Sequence, residues 1–236
     1  VQSYNGYTGQ PITVVLAKAL LYTHFNQKAE GLDLEAYKPG DKLSPFKVVG
    51  EYKGTDLVGM EYEQLIPWVK PVELDEKGQW IEAEKKAFRV IPGDYVTTED
   101  GTGIVHIAPT FGADDAQVAR AAGIPSLFMI NQKGETRPMV DLTGKFYLME
   151  ELDADFVAQC IDADTYKEYE GRWVKNAYDP QFTVDGRFDE KAAAGAESLD
   201  IYICMMLKAG NQVFKIEKHV HNYPHCWRTD KPVLYY

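Results

Sequence analysis

Gly101-Thr102-Gly103-Ile104-Val105-His106-Ile107-Ala108-Pro109-Thr110-Phe111-Gly112-Ala113-Asp114-Asp115 runs from a glycine turn to a pair of aspartates that open an alanine-rich segment. Gly101 and Gly103 permit backbone angles and close approaches that a side chain forbids. The apolar run Ile104 to Ala108 predicts a short strand, with Ile104, His106 and Ala108 on one face and Val105 and Ile107 on the other. Pro109 cannot donate to a ladder and should end that strand. Asp114 and Asp115 then begin a predicted helix that stops at Gly123. Taken singly, each aspartate suits helix capping and the N-terminal dipole, and His106 suits a hydrogen-bonded interior position. Capping alone requires neither the preceding glycine turn nor a histidine on a strand. The ordered string can aim an imidazole and a carboxylate into one cleft from two rigid elements.

The chain is long enough for one substantial domain or two small ones with a real core. Its apolar content, 45%, is that of a globular protein and argues against disorder. No apolar run is long enough to span a membrane and no signal-peptide pattern occurs, so a membrane is not an expected partner. Cys160, Cys204 and Cys226 are odd in number and far apart. That fits a reducing cytoplasm better than a disulfide scaffold. The first residue, Val1, and the apolar end Tyr235-Tyr236 read as cuts through a longer polypeptide. With 25 Lys and Arg against 36 Asp and Glu, the net charge is −11. Phosphate binding is driven by cations, so an autonomous nucleic-acid binder is disfavoured. A module that receives an RNA end from neighbouring domains is not.

Along the chain, Ile12, Val15, Leu16, Ala19 and Leu20 fall at helical spacing, predicting a helix within Gln10–Phe25. From Phe46 to Val72, short strand-like pieces are broken by Gly50, Gly54, Gly59, Pro67 and Pro71, and Trp80 to Val96 repeats the habit. Phe88 to Ile91 is a predicted strand before Pro92-Gly93. Such punctuation suggests a barrel-like sheet. Ile124 to Ile130 predicts a buried strand, followed by a turn at Asn131 to Gly134. Glu150 to Asp162 and Ser198 to Lys208 predict helices, the second with Ser198 as N-cap and Gly210 as stop. Asp185-Gly186 has turn chemistry, and Phe214 to Glu217 alternates as a strand would. Residues 140–210 read as a peripheral helical subdomain. The fold class expected is mixed α and β, a β-barrel core with peripheral helices.

His219, His221, His225 and Cys226 lie close together, but they lack the paired spacing of a zinc site, so packing and hydrogen bonding are preferred to a metal. Trp227 and Arg228 could stack on an unpaired base. A core tryptophan and a surface ion pair for the arginine are the simpler expectation. Gly101-Thr102-Gly103 is not a phosphate loop, because it lacks the lysine and the following helix. No Gly-x-Ser-x-Gly elbow and no cysteine nucleophile signature occurs.

The first stretch resembles the editing-domain motif of isoleucyl-tRNA synthetases. A second block, Tyr223-Pro224-His225-Cys226-Trp227-Arg228 followed by Lys231-Pro232, matches the place where those enzymes leave that domain. Ile12 to Leu21 and Tyr52 to Tyr62 are similar to the same insertion, so the resemblance covers most of residues 1–236. These are class I synthetases, in which a β-barrel decorated by helices interrupts the nucleotide-binding catalytic domain. The resemblance implies hydrolysis of valine from mischarged isoleucine tRNA. A binding pocket rejects valine, which lacks one methylene, by only about 1–3 kcal/mol, and a second hydrolytic sieve makes up the difference; isoleucyl synthetase is the standard illustration of both points.

By resemblance, Asp115 holds the α-ammonium of the substrate. His106 faces the part of the pocket that rejects isoleucine, or helps orient the ester. Gly101, Thr102, Gly103, Ala108, Thr110 and Phe111 line the substrate site, with Ala108 keeping room for valine. Water attacks without a covalent intermediate. No cofactor is implied for editing, while ATP and magnesium belong to the separate synthetic site, whose His-Ile-Gly-His and Lys-Met-Ser-Lys-Ser signatures are absent here. The implied partners are the valine-bearing acceptor end of the tRNA and the rest of the synthetase. The family's threonine-rich pocket wall, upstream of the helix matching Gln10 to Phe25, has no counterpart here, and Thr97-Thr98 lies elsewhere. Editing by this stretch alone is therefore expected to be weak or lost. Two rivals are a valyl-enzyme editing domain removing threonine and a non-catalytic tRNA-docking module. Acidity and a buried Gly-Thr-Gly strand would count against the second.

Overall fold

A computed structural model describes residues 1–77, 80–218, 223–229 and 231–234. The helices are α1 (Leu21–His24), α2 (Gly54–Leu57), α3 (Glu84–Ala87), α4 (Ala113–Ala121), α5 (Ala154–Cys160), α6 (Ala163–Tyr166) and α7 (Leu199–Ala209). The strands form four antiparallel pairs: β1 (Gln2–Tyr4) with β2 (Pro11–Thr13), β3 (Val72–Leu74) with β4 (Trp80–Glu82), β5 (Met129–Ile130) with β6 (Thr136–Arg137), and β7 (Thr183–Val184) with β8 (Arg187–Phe188). The class is mixed α and β. The expected closed barrel is not found among the described residues, where every sheet has two strands. Of the prolines and glycines that suggested a barrel, Pro71 precedes β3, while Gly50, Gly54, Gly59, Pro67 and Pro92-Gly93 lie outside the strands.

The chain divides into two compact units. The first comprises Val1–Met60, Val90–His106 and Ile203–Lys218. Its core is Phe25, Ala29 and Phe46, with Val14, Leu16, Leu43 and Phe214 packed on them. Phe25 lies 4.9 Å from Phe46 and 5.4 Å from Phe214, ring centre to ring centre. Asn5 is buried and satisfied: its amide donates to Asn211 Oδ1 and the Val213 carbonyl, and its oxygen accepts from the Tyr7 amide. The helix expected over Gln10–Phe25 is confined to its C-terminal end. Pro11–Thr13 pairs with Gln2–Tyr4, a 3₁₀ turn covers Lys18–Leu20, and only Leu21–His24 is α-helical. The β-branched run Ile12 to Val15 and the proline, tolerated on an edge strand, outweigh the helical spacing. Phe214–Glu217, expected as a strand, is irregular.

The second unit comprises Glu61–Arg89, Ile107–Tyr202 and His219–Tyr236. Trp68 stacks on Tyr169 with 3.5 Å between ring centres and meets Phe146 edge-on at 6.0 Å. Val69, Met129, Ile130, Val140, Leu152 and Phe156 are also buried. Tyr166 is enclosed; its hydroxyl donates to the Tyr147 carbonyl at 2.8 Å, and burial raises its pKa. Here the turn chemistry holds. Asn131 to Gly134 turns between β5 and β6, with the Gly134 amide donating to the Asn131 carbonyl. Asp185 and Gly186, both at positive φ, join β7 to β8. The expected strands Ile124–Ile130 and Phe88–Ile91 shrink to β5 and to a single bridge between Glu61 and Arg89. The expected helix Glu150–Asp162 begins as a 3₁₀ turn at Met149–Glu151. It becomes α5 only after Asp153, whose carboxylate accepts from the Phe156 amide. Helix α7 matches the Ser198–Lys208 expectation within a residue at each end. No helix among the described residues is long and apolar enough to cross a membrane.

Candidate functional site

The glycine turn is held from both sides within the first unit. The Ala17 amide donates to the Thr102 carbonyl at 2.8 Å, and His24 Nε2 donates to the Gly101 carbonyl at 2.6 Å. Both glycines have positive φ, +61° at Gly101 and +74° at Gly103. Gly103 carries a second constraint: a Cβ there would lie 2.5 Å from the Ala17 Cβ, whereas one at Gly101 would meet open space. Gly103→Ala is therefore expected to destabilise the chain more than Gly101→Ala. Each loses about 1–2 kcal/mol to the left-handed backbone, and only Gly103 adds the clash. Denaturant midpoints of the two variants check this, and equal midpoints would mean that Ala17 moves aside.

Beyond the turn, the expected strand does not form. Ile104 to Ala108 is irregular, Ile104 and Val105 are 52% and 51% exposed, and His106 and Ala108 are exposed as well. A buried Gly-Thr-Gly strand can thus no longer be held against a docking role. No ladder partner occupies either side of this segment among the described residues, so alternation of faces has nothing to act on.

The second half of the motif belongs to the second unit. Gly112, at φ +135°, turns the chain into α4, as the two aspartates predicted; Gly123, at φ +66°, follows the Ala122 C-cap. Asp115 sits in the first turn of α4, and its Oδ2 accepts the Ala108 amide at 2.9 Å. The Phe111 amide donates to the Ala108 carbonyl at 2.9 Å, and Thr110 Oγ1 donates to the Leu127 carbonyl at 2.7 Å. These bonds fold Ala108 to Asp115 into a tight loop that holds the Asp115 carboxylate in one orientation. Oδ1 accepts no bond among the described residues, leaving an anionic oxygen able to take a charged donor. The structure thus brings Ala108, Thr110, Phe111 and Asp115 together, and separately fixes Gly101, Thr102 and Gly103. Asp115 therefore serves as a backbone acceptor, which the sequence reading did not foresee. His24 was not singled out either, since nothing in its neighbourhood signals a contact with a turn far along the chain.

The closing block forms a hairpin. His225 bridges Pro232, the Cys226 amide donates to the Lys231 carbonyl at 2.8 Å, and the Tyr223 hydroxyl donates to the Val233 carbonyl at 2.9 Å. Trp227 is not a core residue: it is 82% exposed, and Arg228, expected in an ion pair, lies over its ring at 4.6 Å. Hydrogen bonds from the Thr229 hydroxyl and the Arg228 and Thr229 amides hold the Cys226 thiol below its usual pKa. His225 Nδ1 donates to the Tyr223 carbonyl at 2.7 Å. His219 and His221 lie outside the described residues, and among the described ones no three His, Cys, Asp or Glu side chains converge as a metal site.

No protein-family model matches the chain. Individual proteins do. The chain is 78% identical over 236 residues to an isoleucine–tRNA ligase of Bacteroides thetaiotaomicron, of which it covers 20%. It is 70% identical over 236 residues to an isoleucine–tRNA ligase of Bacteroides fragilis, covering 19%, and 54% identical over 237 residues to that of Porphyromonas gingivalis, also covering 19%. All of the chain takes part in each match, and it spans about a fifth of the length of these relatives.

Proposed function

We propose that this chain, homologous over its whole length to a segment of isoleucine–tRNA ligases, is the part of such an enzyme that hydrolyses valine from mischarged isoleucine tRNA. The observation that carries the proposal is the fixed carboxylate of Asp115. One oxygen is spent on the Ala108 amide, and the other is left to bind the α-ammonium of the aminoacyl group. An ionised carboxylate held by the backbone gives a strong charge-assisted hydrogen bond without reorganising when substrate arrives. Ala108, beside that carboxylate, adds little bulk near the acyl group. His106 serves to reject the larger isoleucine side chain or to orient the ester.

In the reaction, a water oxygen bonds to the ester carbonyl carbon, and the bond from that carbon to the ribose oxygen breaks. The water's proton ends on the ribose, releasing valine and uncharged tRNA. Rate comes from positioning and electrostatic stabilisation, and no protein nucleophile is used. No cofactor takes part. The valine-bearing acceptor end and the rest of the synthetase are the partners. Identity to isoleucine enzymes throughout favours valine over threonine as the residue removed. Non-hydrolysable valyl-, threonyl- and isoleucyl-adenosine analogues, titrated against the intact synthetase, test this. Tighter binding of the valyl compound, lost in Asp115→Asn, is the expected result. Equal binding of all three, or binding indifferent to Asp115, would leave only a docking role.

A further inference from the structure

Helix α4 carries Asp115 and has little packing to anchor it. It is nine residues long, and Ala119 alone among them is buried. An isolated helix of that length is marginal in water, so contacts outside it must hold it. At its start, the tie to the preceding loop is the Asp115 carboxylate itself, which accepts the Ala108 amide. Its far end is tied to a distant segment. Arg89 Nη2 donates at 2.6 Å to the carbonyl of Ala122, the C-cap of α4, 33 residues later in the chain. Arg89 is itself fixed within the second unit: it bridges Glu61, and the adjacent Phe88 carbonyl accepts the Tyr62 amide at 2.9 Å. The bond sets a permanent cation against the negative end of the helix dipole, on a carbonyl that the helix leaves without an internal partner. The arginine also carries a cost. Its Nε is buried and makes no hydrogen bond among the described residues. An apolar side chain of similar length would fill the same place without that cost, so packing does not account for an arginine here. Fixing the Ala122 carbonyl does.

We propose that Arg89 is a positioning residue for the hydrolytic site: by fastening the C-terminal end of α4, it fixes where the Asp115 carboxylate meets the α-ammonium of the substrate. This rests on the reading of Asp115 as the ammonium-binding group. Asp115 sits seven residues before Ala122, about 10 Å along the helix. A short helix released at one end swings at the other, and a misplacement of about 1 Å in a bound reaction costs up to about a hundredfold.

The test uses the intact synthetase, a non-hydrolysable valyl-adenosine analogue, and the same compound with hydrogen in place of its ammonium group. Arg89→Met keeps the stem and removes the donor. It is expected to weaken the ammonium-bearing analogue about tenfold, to leave its deaminated counterpart unchanged, and to slow deacylation of Val-tRNA about tenfold. Isoleucine activation should be unaffected. The contact uses one donor on one carbonyl, so Arg89→Lys should recover most of the loss. In an Asp115→Asn background, Arg89→Met should have little further effect, because both changes act on one contact. Equal weakening of both analogues, or the full further loss in the Asp115→Asn background, would make Arg89 a residue that only holds the fold and overturn the proposal. Methionine as active as arginine would overturn it too. Two failures are told apart by Asp115→Asn alone. If that variant leaves the analogues and deacylation unchanged, the hydrolytic reading fails and the positioning role with it. If it loses the preference for the ammonium-bearing analogue while Arg89→Met keeps it, the positioning role fails and the hydrolytic reading stands.

Discussion

Replacing Asp115 by alanine in the intact synthetase is expected to lower deacylation of Val-tRNA by about tenfold to a hundredfold or more, while isoleucine activation stays nearly unchanged. Loss of a charge-assisted hydrogen bond to the substrate accounts for roughly 1.5–3 kcal/mol. A second loss is structural: without Oδ2 the Ala108 amide has no acceptor, and the loop that sets the carboxylate's direction loosens. Asp115→Asn separates the two. Its amide oxygen can still accept from Ala108, so the loop should persist, but it brings no charge to an ammonium group. Asparagine should therefore be nearly as inactive as alanine while unfolding at a denaturant concentration closer to wild type. Deacylation retained in both variants would remove Asp115 from the chemistry and leave it a loop-fastening residue. Activity retained in asparagine alone would show that geometry, not charge, is what the site needs.

The sequence reading succeeded where a local rule needs only a few neighbouring residues. Asn131 to Gly134, Asp185-Gly186 and the Gly123 stop all follow from residues that tolerate a tight or left-handed backbone, and all stand in the structure. Helix α4 was legible from the aspartates of its first turn and the glycine after its C-cap, and α7 from its apolar run ending before Gly210. Strands failed for the opposite reason. Ile104 to Ala108 is an apolar run and Phe214 to Glu217 alternates, but either becomes a strand only when a partner supplies the ladder, and no partner is written into the segment itself. Over Gln10 to Phe25, helical spacing of apolar residues says nothing of Gln2–Tyr4, the strand that claims Pro11–Thr13. Residue type alone puts Trp227 in a core, whereas it is exposed in this stretch of chain. The candidate site was legible as a list of residues. Its working contacts, Asp115 to the Ala108 amide and Ala17 and His24 to the glycine turn, are side-chain and backbone choices that no spacing rule predicts.

Those exposures bear on what the 236 residues can do alone. Ile104, Val105, His106 and Ala108 are exposed and irregular, so this part of the motif presents no strand face. An ester captured by Asp115 through its ammonium would keep rotational freedom about that single contact, and misplacing the attacking water forfeits much of the advantage of a bound reaction. The acidic balance of the chain adds little attraction for the RNA backbone. The chain on its own is therefore expected to deacylate preformed Val-tRNA poorly. A longer piece, extended upstream through the threonine-rich segment that the resemblance implies, should be faster by about tenfold or more, the gain of one further positioning contact of roughly 1.4 kcal/mol or better. The two pieces are to be compared at equal tRNA concentration, with Asp115→Ala made in each. If the short piece matches the long one, and both depend on Asp115, then the upstream wall is dispensable and the loop from Ala108 to Asp115 positions the ester by itself. If the long piece gains activity that does not depend on Asp115, hydrolysis belongs to the added segment and the carboxylate only fastens the loop.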